Sequence, residues 1–321
     1  MKTSHALAAL VALALASPAA GFGRLGDAEK LFNFGKKAAD ATAPITDEEE
    51  IELGRGIAAR LLAARPLVRD EAVQQYVNRV GLWLALQTER PNLPWRFGVM
   101  DSTDVNAFAL PGGTILITQG LYDRLRDEAE LAAVLSHEIA HVVERHQVEA
   151  IKKEMGTAFA TELAGEAAGH SDNQAVRMFG QKAFQAGTEL FVRGLDKGDE
   201  HQADVHGMVI SARGGYNPYA LASVLHTLDG TTADDAGVAL MFSTHPTAVS
   251  RIEHLETVVG DKLEAYAMNE APANTLTLAA AGCPNARRPQ RWRFLPITSR
   301  RTVHGQPARH RYGASTPHLK T

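Results

Sequence analysis

The sequence predicts an α+β fold that is mostly helical, with a small β-sheet beside one central helix. Apolar residues recur at helical spacing through most of residues 46–259, and alanine-rich segments dominate while aromatic residues make up only 6%. Between residues 95 and 118, three short segments instead carry the alternating or β-branched patterns of strands. A chain of 321 residues that is 45% hydrophobic can bury a sizeable core, in one domain or in two.

Two helices are predicted before the strands. The first begins at Thr46, which forms the capping-box pattern with Glu49. The second begins at Asp70, and its apolar residues fall on one face: Val73, Tyr76, Val77, Val80 and Leu84. Both patterns indicate scaffold helices that bury one face in the core.

Three strands follow, and the second is predicted to lie at a sheet edge. The predicted strands are Trp95–Met100, Asn106–Leu110 and Thr114–Thr118. Pro111, in the turn between the last two, cannot donate a ladder hydrogen bond, which favours the edge for Asn106–Leu110. An exposed edge is either covered by a loop or pairs with an extended peptide, and the pattern alone leaves both open.

A helix near the middle of the chain carries the most informative motif. Its buried stripe is predicted from Leu131, Val134, Leu135, Ile139, Val142 and Val143. Here His137, Glu138 and His141 form the H-E-x-x-H pattern, in which two histidines one turn apart bind zinc and the glutamate acts as base. Glu138 falls inside the stripe, where an unpartnered carboxylate faces a large desolvation cost. These three side chains therefore pack poorly in an apolar core and are well suited to bind a metal. The alternative is that the two histidines are hydrogen-bonded core residues.

The motif leaves the third metal ligand undefined. His146 lies nine residues past His137, and position 144 is Glu, so the longer H-E-x-x-H-x-x-G-x-x-H signature is absent. The remaining ligand has to come from another part of the chain.

The next informative helix supplies a candidate. One of its faces is formed by Glu200, Ala203, Asp204, Gly207, Met208 and Ser211. The small Ala203 and Gly207 would let this face approach another helix closely. Glu200 would complete a His, His, Glu set with one open position, and Asp204 can accept the ring N–H of a ligand histidine. The alternative is an acidic first turn favoured only by the helix dipole.

The segments that follow carry two further candidates. The Gly214-Gly215 pair is predicted to end this helix, and Asn217-Pro218 to begin the next as N-cap and first residue. A last helix follows His245-Pro246 and extends to Val259. From pattern alone, His245 and Arg251 are ordinary surface residues.

The ends of the chain differ from its middle. Residues 1–20 have the pattern of a signal peptide, with a polar start, an apolar run of eleven residues from Ala6 to Ala16, and small residues where a peptidase could cut. Residues 21–45 are predicted to be a flexible arm, residues 46–270 a folded domain, and residues 271–321 a basic, disordered tail.

Charge and cysteine content limit the partners. The formal net charge of −4 includes a tail with nine Lys and Arg and no Asp or Glu, so the rest of the chain is acidic and unsuited to nucleic acid. The arginines of the tail could contact an anionic membrane surface, or the tail is simply solvated. Cys283 is the only cysteine, so no disulfide framework and no lipid anchor after the apolar run are expected.

Taken in order, these segments resemble the M48 family of metallopeptidases, in particular its periplasmic bacterial members. The resemblance rests on Asn106–Gly113 (NAFALPGG), His137–His141 with Arg145-His146, Glu200–Asp204 (EHQAD), Gly215–Pro218 (GYNP), and Ser243–Pro246 (STHP) with Arg251-Ile252. It implies a zincin-like metallopeptidase domain with one Zn²⁺ per chain, bound by His137, His141 and Glu200, and Glu138 as the base.

The resemblance also implies roles for other residues. The substrate would be laid along the edge strand formed by Asn106, Ala107, Phe108, Ala109 and Leu110. His245 would cap the zinc in a resting state, and Arg251 would help to stabilise the transition state.

The expected function is therefore that of a zinc-dependent endopeptidase acting in the periplasm on misfolded or unassembled envelope proteins. A chaperone-like binder that uses the same edge strand is the alternative, but such a binder does not need the base Glu138. A structural zinc site is a third interpretation, which the open position in the ligand set argues against.

Overall fold

Helices and a three-stranded sheet make up the residues that the computed structural model describes, which are 44–154, 194–230 and 245–268. The helices are α1 (Asp47–Ala64), α2 (Glu71–Ala85), α3 (Gln119–Tyr122), α4 (Glu128–Val143), α5 (Lys197–Arg213), α6 (Ala220–Asp229) and α7 (Ala248–Val258). The strands are β1 (Arg96–Met100), β2 (Ala107–Leu110) and β3 (Thr114–Thr118), and a 3₁₀ turn spans Glu264–Tyr266. The mostly helical α+β prediction is confirmed.

The predicted terminal segments lie almost entirely outside the described residues. This holds for the signal peptide 1–20, for the basic tail 271–321 and for most of the arm 21–45. Ile45, the last residue of that arm, is buried. Within the described part, no helix is both long and apolar enough to cross a membrane.

The first two helices begin where the sequence supplies their caps. Thr46 accepts a hydrogen bond from the backbone N–H of Glu49, whose side chain accepts one from Thr46 N, so the capping box is formed. Asp70 caps α2 by accepting from the N–H groups of Ala72 and Val73. The predicted apolar face of α2 is buried throughout.

The sheet has the order β1-β3-β2, which places β2 at an edge as Pro111 predicted. Strand β1 runs parallel to β3, and β2 runs antiparallel to it with Phe108 opposite Leu116. The turn between β2 and β3 contains Gly112 and Gly113, whose φ angles of 76° and 97° suit glycine.

A buried carboxylate ties that turn to the rest of the fold. Glu50 in α1 is fully buried and accepts a hydrogen bond from Gly112 N at 2.9 Å. The same carboxylate accepts from Arg90 and pairs with Arg145, which follows the end of α4. Glu50 therefore links the edge-strand hairpin to the helix that carries the motif.

Helix α4 is buried on all sides. Every residue from Leu131 to Val142 is buried, whereas the sequence predicted one apolar stripe, and Val143 of that stripe is only half-buried. The reason is that α4 packs against the sheet, α2, α5 and α6 at once. Polar side chains on its remaining faces therefore need partners from those elements.

Helix α5 lies very close to α4 because a small residue faces it. A Cβ atom on Gly207 would come within 2.9 Å of the backbone nitrogen of His137, so only glycine fits at this spacing. Ala203 is fully buried one turn earlier. The predicted close approach is confirmed, and it brings Glu200 and Asp204 to the motif.

The last helices follow with small shifts from the predicted ends. Helix α5 ends at Arg213 with Gly214 as its C-cap, and Gly215 has a φ of 86°. Helix α6 begins at Ala220 and not at Pro218, because Asn217 accepts from Tyr219 N in a separate turn before the helix. Helix α7 begins after Thr247, which accepts from Ser250 N.

Candidate metal centre and active site

Helix α4 presents His137 and His141 one turn apart toward the same point. Their Nε2 atoms are 3.2 Å apart, and their ring planes are perpendicular. Both rings are buried. Two imidazole nitrogens directed at one point from successive turns are the arrangement that the H-E-x-x-H pattern predicts.

Helix α5 adds Glu200 to this pair. Glu200 Oε2 lies 3.7 Å from His137 Nε2, and Oε1 lies 3.5 Å from His141 Nε2. Oε1 is buried and has no hydrogen-bond partner among the described residues. The charges and hydrogen bonding of the surrounding histidines hold the pKa of Glu200 well below its usual range, although burial alone would raise it.

His245 reaches the same point from the segment before α7. Its Nδ1 is 2.7 Å from Glu200 Oε2. One ligand atom each from His137, Glu200 and His245 lie within 4.8 Å of one another, so this set too could hold a metal ion. Burial lowers the pKa of His245, but the carboxylate of Glu200 outweighs it and the pKa is raised.

Asp204, one turn beyond Glu200, holds the other side of His137. Its Oδ1 is 3.0 Å from His137 Nδ1. Arg251 donates to both oxygens of Asp204, from Nε to Oδ2 at 2.9 Å and from Nη2 to Oδ1. Burial would raise the pKa of Asp204, but Arg251 and the hydrogen bond from His137 hold it well below the ordinary value. Asp204 is therefore an anionic acceptor for the ring N–H of His137.

Glu138 is buried beside these residues. Burial raises the pKa of its carboxyl, and the nearby charges of His137, His245 and Arg251 offset this only in part. A carboxyl whose pKa is moved up toward neutrality is suited to take and return a proton.

Two hollows meet at Glu138 and follow the edge strand. Asn106, Ala107, Glu138 and His245 line both of them. One hollow continues past Phe108, Ala109, Gln147 and Leu195, and the other, which also includes Arg251, has an apolar wall of Leu121, Val134, Leu221, Val224, Leu225 and Leu228. Leu110 is fully buried and lines neither hollow. Four of the five predicted strand residues therefore face a cleft that contains Glu138.

The family model of peptidase family M48 matches residues 71–259, which is more than half of the chain. The chain belongs to peptidase family M48. The membership that the motifs implied is confirmed, and with it the mostly helical, zincin-like fold.

Curated M48 relatives of the chain are proteases by name. The beta-barrel assembly-enhancing protease of Yersinia pestis is 28% identical over 214 residues, 66% of this chain and 44% of that protein. The mitochondrial metalloendopeptidase OMA1 of Schizosaccharomyces pombe is 29% identical over 182 residues, 56% of this chain and 51% of that protein. Metalloprotease LoiP of Escherichia coli (strain K12) is 28% identical over 162 residues, 50% of this chain and 62% of that protein. The chain thus spans less than half the length of the Yersinia relative.

M48 peptidases depend on a bound metal, and the residues of this site fit one. The donor atoms of His137, His141 and Glu200 are separated by 3.2, 3.5 and 3.7 Å. Ligands of a tetrahedral zinc with bonds of about 2.0–2.1 Å are separated by about 3.3 Å. The unpartnered, buried Glu200 Oε1 also indicates that a cation is the missing partner.

Local sequence patterns did not predict two of the contacts behind the candidate metal site. His146 lies with its Nδ1 2.9 Å from His141 Nδ1, although the pattern considered it only as a direct ligand. Arg251 is engaged by Asp204, a pairing across 47 residues that no local pattern signals. The motif set had included the Arg145-His146 pair, but it gave His146 no role.

Proposed function

We propose that this protein is a zinc-dependent endopeptidase that hydrolyses peptide bonds of misfolded or unassembled proteins of the bacterial envelope. The observation that carries the proposal is the convergence of His137, His141 and Glu200 beside the buried carboxyl of Glu138. Two imidazoles, one carboxylate and one open position are the donor set of catalytic zinc.

The residues of the site have separate roles in the proposed hydrolysis. Zinc held by His137, His141 and Glu200 would supply Lewis-acid polarisation of the scissile carbonyl and a water of lowered pKa. Glu138 takes the proton of that water and passes it to the leaving amine. The guanidinium of Arg251, held by Asp204 and lining the cleft with Glu138, faces the negative charge that develops on the carbonyl oxygen, together with His245.

The substrate is positioned by the edge strand. An extended peptide adds to β2 through main-chain hydrogen bonds, and Asn106, Ala107, Phe108 and Ala109 border the cleft at that edge. This mode of binding recognises the backbone of the substrate and not its side chains. It therefore suits unfolded segments of varied sequence. The same strand would serve the chaperone-like binder, so binding alone does not separate the two functions.

The envelope is the proposed location. The polar start and the apolar run of eleven residues predict export by a signal peptide. The name of the relative in Yersinia pestis connects that protein with β-barrel assembly. By extension, we propose that this protein acts in the periplasm and that its substrates are unassembled envelope proteins.

Replacing the base tests the proposal. We expect Glu138→Gln to lower proteolysis of an unfolded substrate such as casein by at least about 10²-fold, because general-base catalysis contributes about 10²–10⁴-fold. The zinc content should stay at one per chain, since Glu138 is not a ligand. The assay compares wild type and variant with and without a chelator, and metal analysis gives the zinc content.

Glu256→Gln is the matched control, because Glu256 is an exposed glutamate of α7 that contacts no site residue. It should cleave like the wild type. Full activity of Glu138→Gln would refute the assignment of the base. Equal binding of unfolded chains by wild type and variant, with cleavage by neither, would favour the chaperone-like binder.

A further inference from the structure

We propose that His146 is a positioning residue. It fixes the orientation of the His141 ring by accepting a hydrogen bond from His141 Nδ1, the ring nitrogen that does not face the proposed metal. The inference rests on the proposed function, because it takes His141 as a metal ligand. The Nδ1 atoms of the two rings are 2.9 Å apart, and the rings meet edge to face at 74°. Both side chains are buried, so water does not compete for this contact.

The direction of the hydrogen bond follows from the two nitrogens of His141. Its Nε2 points at His137 and Glu200, so a His141 that binds metal there carries its proton on Nδ1. That proton needs an acceptor, and His146 Nδ1 is the one that the described structure offers. His146 then carries its own proton on Nε2, which lies 3.4 Å from Gln202 Oε1.

The chain of hydrogen bonds continues to a second helix. Gln202 in α5 donates from Nε2 to Glu144 Oε2 at 2.8 Å, which fixes the orientation of its amide. The amide oxygen is therefore available to His146, and the neutral form of His146 with Nε2–H is the one that fits both neighbours. His146 is oriented from one side by α5 and orients His141 on the other.

The two ligand histidines are thus held by different chemistry. His137 faces the carboxylate of Asp204, whose charge is balanced by Arg251. His141 faces the imidazole of His146 and not a carboxylate, so this contact orients the ligand without a further buried acidic group. Partners of this kind commonly change metal affinity by about 10–100-fold when they are removed.

A break in the helix makes the contact possible. In an unbroken helix, position 146 would lie about 140° around the axis from His141, facing away from it. Arg145 instead adopts a φ of 62°, which ends the α4 segment and lets residues 146–154 start a new helical stretch. The guanidinium of Arg145 donates to Ile45 O and pairs with Asp47 and Glu50, which stabilises this unusual backbone.

The test compares His146→Asn with His146→Leu in the full chain. Asn places an amide oxygen near the position of the histidine Nδ1 and can still accept from His141, whereas Leu cannot. We expect Leu to weaken zinc affinity by about 10–100-fold and Asn to stay near the wild type. Zinc affinity is measured by competition with a chromogenic chelator, and melting temperatures are measured with and without zinc.

A purely structural role predicts a different result. It would lower the melting temperature equally with and without zinc, whereas a positioning role reduces the rise in melting temperature that zinc produces. His226→Asn is the control, because His226 is an exposed histidine of α6 that lines neither hollow. It should leave zinc affinity unchanged.

The outcomes separate the inference from the proposed function. Wild-type affinity in His146→Leu, equal losses in Leu and Asn, or an unchanged zinc-induced rise in melting temperature would each overturn the positioning role. A wild type that binds no zinc, or a Glu200→Gln variant that binds it fully, would instead overturn the proposed metal site, and the role of His146 with it.

Discussion

Asp204 joins two sides of the site through one carboxylate. Its Oδ1 faces His137 Nδ1, and both of its oxygens receive the guanidinium of Arg251. Asp204 and Arg251 are both buried, so water cannot replace either charge when the other is removed. The residue therefore orients His137, a proposed metal ligand, and neutralises a buried cation at the same time.

Asp204→Asn keeps the shape of the side chain and removes its charge. We expect the free energy of unfolding of the metal-free protein to fall by about 3–5 kcal/mol, because the buried guanidinium of Arg251 loses the carboxylate to which it is hydrogen-bonded. Zinc affinity should fall by about 10–100-fold. Urea unfolding and chelator competition measure the two effects.

Asp229→Asn, at the exposed end of α6, is the control for this change. Its free energy of unfolding should stay within about 0.5 kcal/mol of the wild type. A similarly small effect of Asp204→Asn would mean that the Asp204–Arg251 pair contributes nothing to stability.

At the residue scale, local patterns predicted the candidate ligands and Asp204 as a partner of one of them, but not the partner of Asp204 itself. His137, Glu138 and His141 follow from a five-residue pattern, and Glu200 follows from the face that it shares with Asp204. Arg251 gave no local signal, since its role depends on a buried carboxylate 47 residues earlier in the chain. Such a contact exists only after the helices pack.

At the scale of elements, the close packing of α4 against α5 sets the spacing of the candidate ligands. Gly207 leaves no room for a side chain against the backbone of His137. Glu200 lies about two turns before Gly207 on the same helix, so any displacement of α5 also moves Glu200 relative to His137 and His141. The geometry of the proposed ligands therefore depends on Gly207, which is not itself one of them.

Gly207→Ala tests this dependence. Alanine normally favours a helix by about 1 kcal/mol over glycine, but its Cβ would overlap the backbone of His137. We expect a net loss of about 1–3 kcal/mol in the free energy of unfolding and weaker zinc binding, because α5 must move outward. Thermal unfolding and chelator competition measure both quantities.

Gly198→Ala is the matched control on the same helix, since its added Cβ would meet no atom within 4 Å from the described residues outside its own stretch of helix. It should leave the zinc affinity unchanged and stability equal or slightly higher. If Gly207→Ala behaves like Gly198→Ala, the close contact between α4 and α5 does not control the site.

The elements themselves were largely predictable. The caps at Thr46 and Asp70, the edge position of β2 and the C-cap of α5 at Gly214 all follow from local chemistry. The complete burial of α4 was not predictable, because periodicity indicates one apolar face and gives no information on how many elements surround a helix. The start of α6 also differs, since Asn217 forms a turn of its own before it.

At the scale of the whole molecule, buried acidic groups tie stability to pH. Glu130 in α4 is buried, and it accepts hydrogen bonds from the backbone N–H and the side chain of Arg126. Burial raises its pKa, and the contacts with Arg126 offset this only in part. The folded protein therefore binds this proton more tightly than the unfolded chain does.

The raised pKa of Glu130 makes the free energy of unfolding decrease with rising pH. Between the unfolded pKa of a glutamate, about 4.3, and the raised folded pKa, the folded state holds more protons at this residue. We expect the stability of the wild type relative to Glu130→Gln to fall as pH rises through that window. Urea unfolding of both proteins at several pH values measures the difference, and a difference that grows with rising pH would contradict the raised pKa.

The sequence by itself determined the fold class, the family and the identity of the candidate ligands, because these depend on residue types at fixed spacing along one helix or strand. The tertiary structure alone decided how the ligands are held: Arg251 against Asp204, His245 against Glu200 and His146 against His141. The physical reason is that helical periodicity gives the direction of a side chain on its own helix. The distance to a partner on another helix depends instead on how closely the helices pack, which here follows from a glycine, and on a backbone break at Arg145.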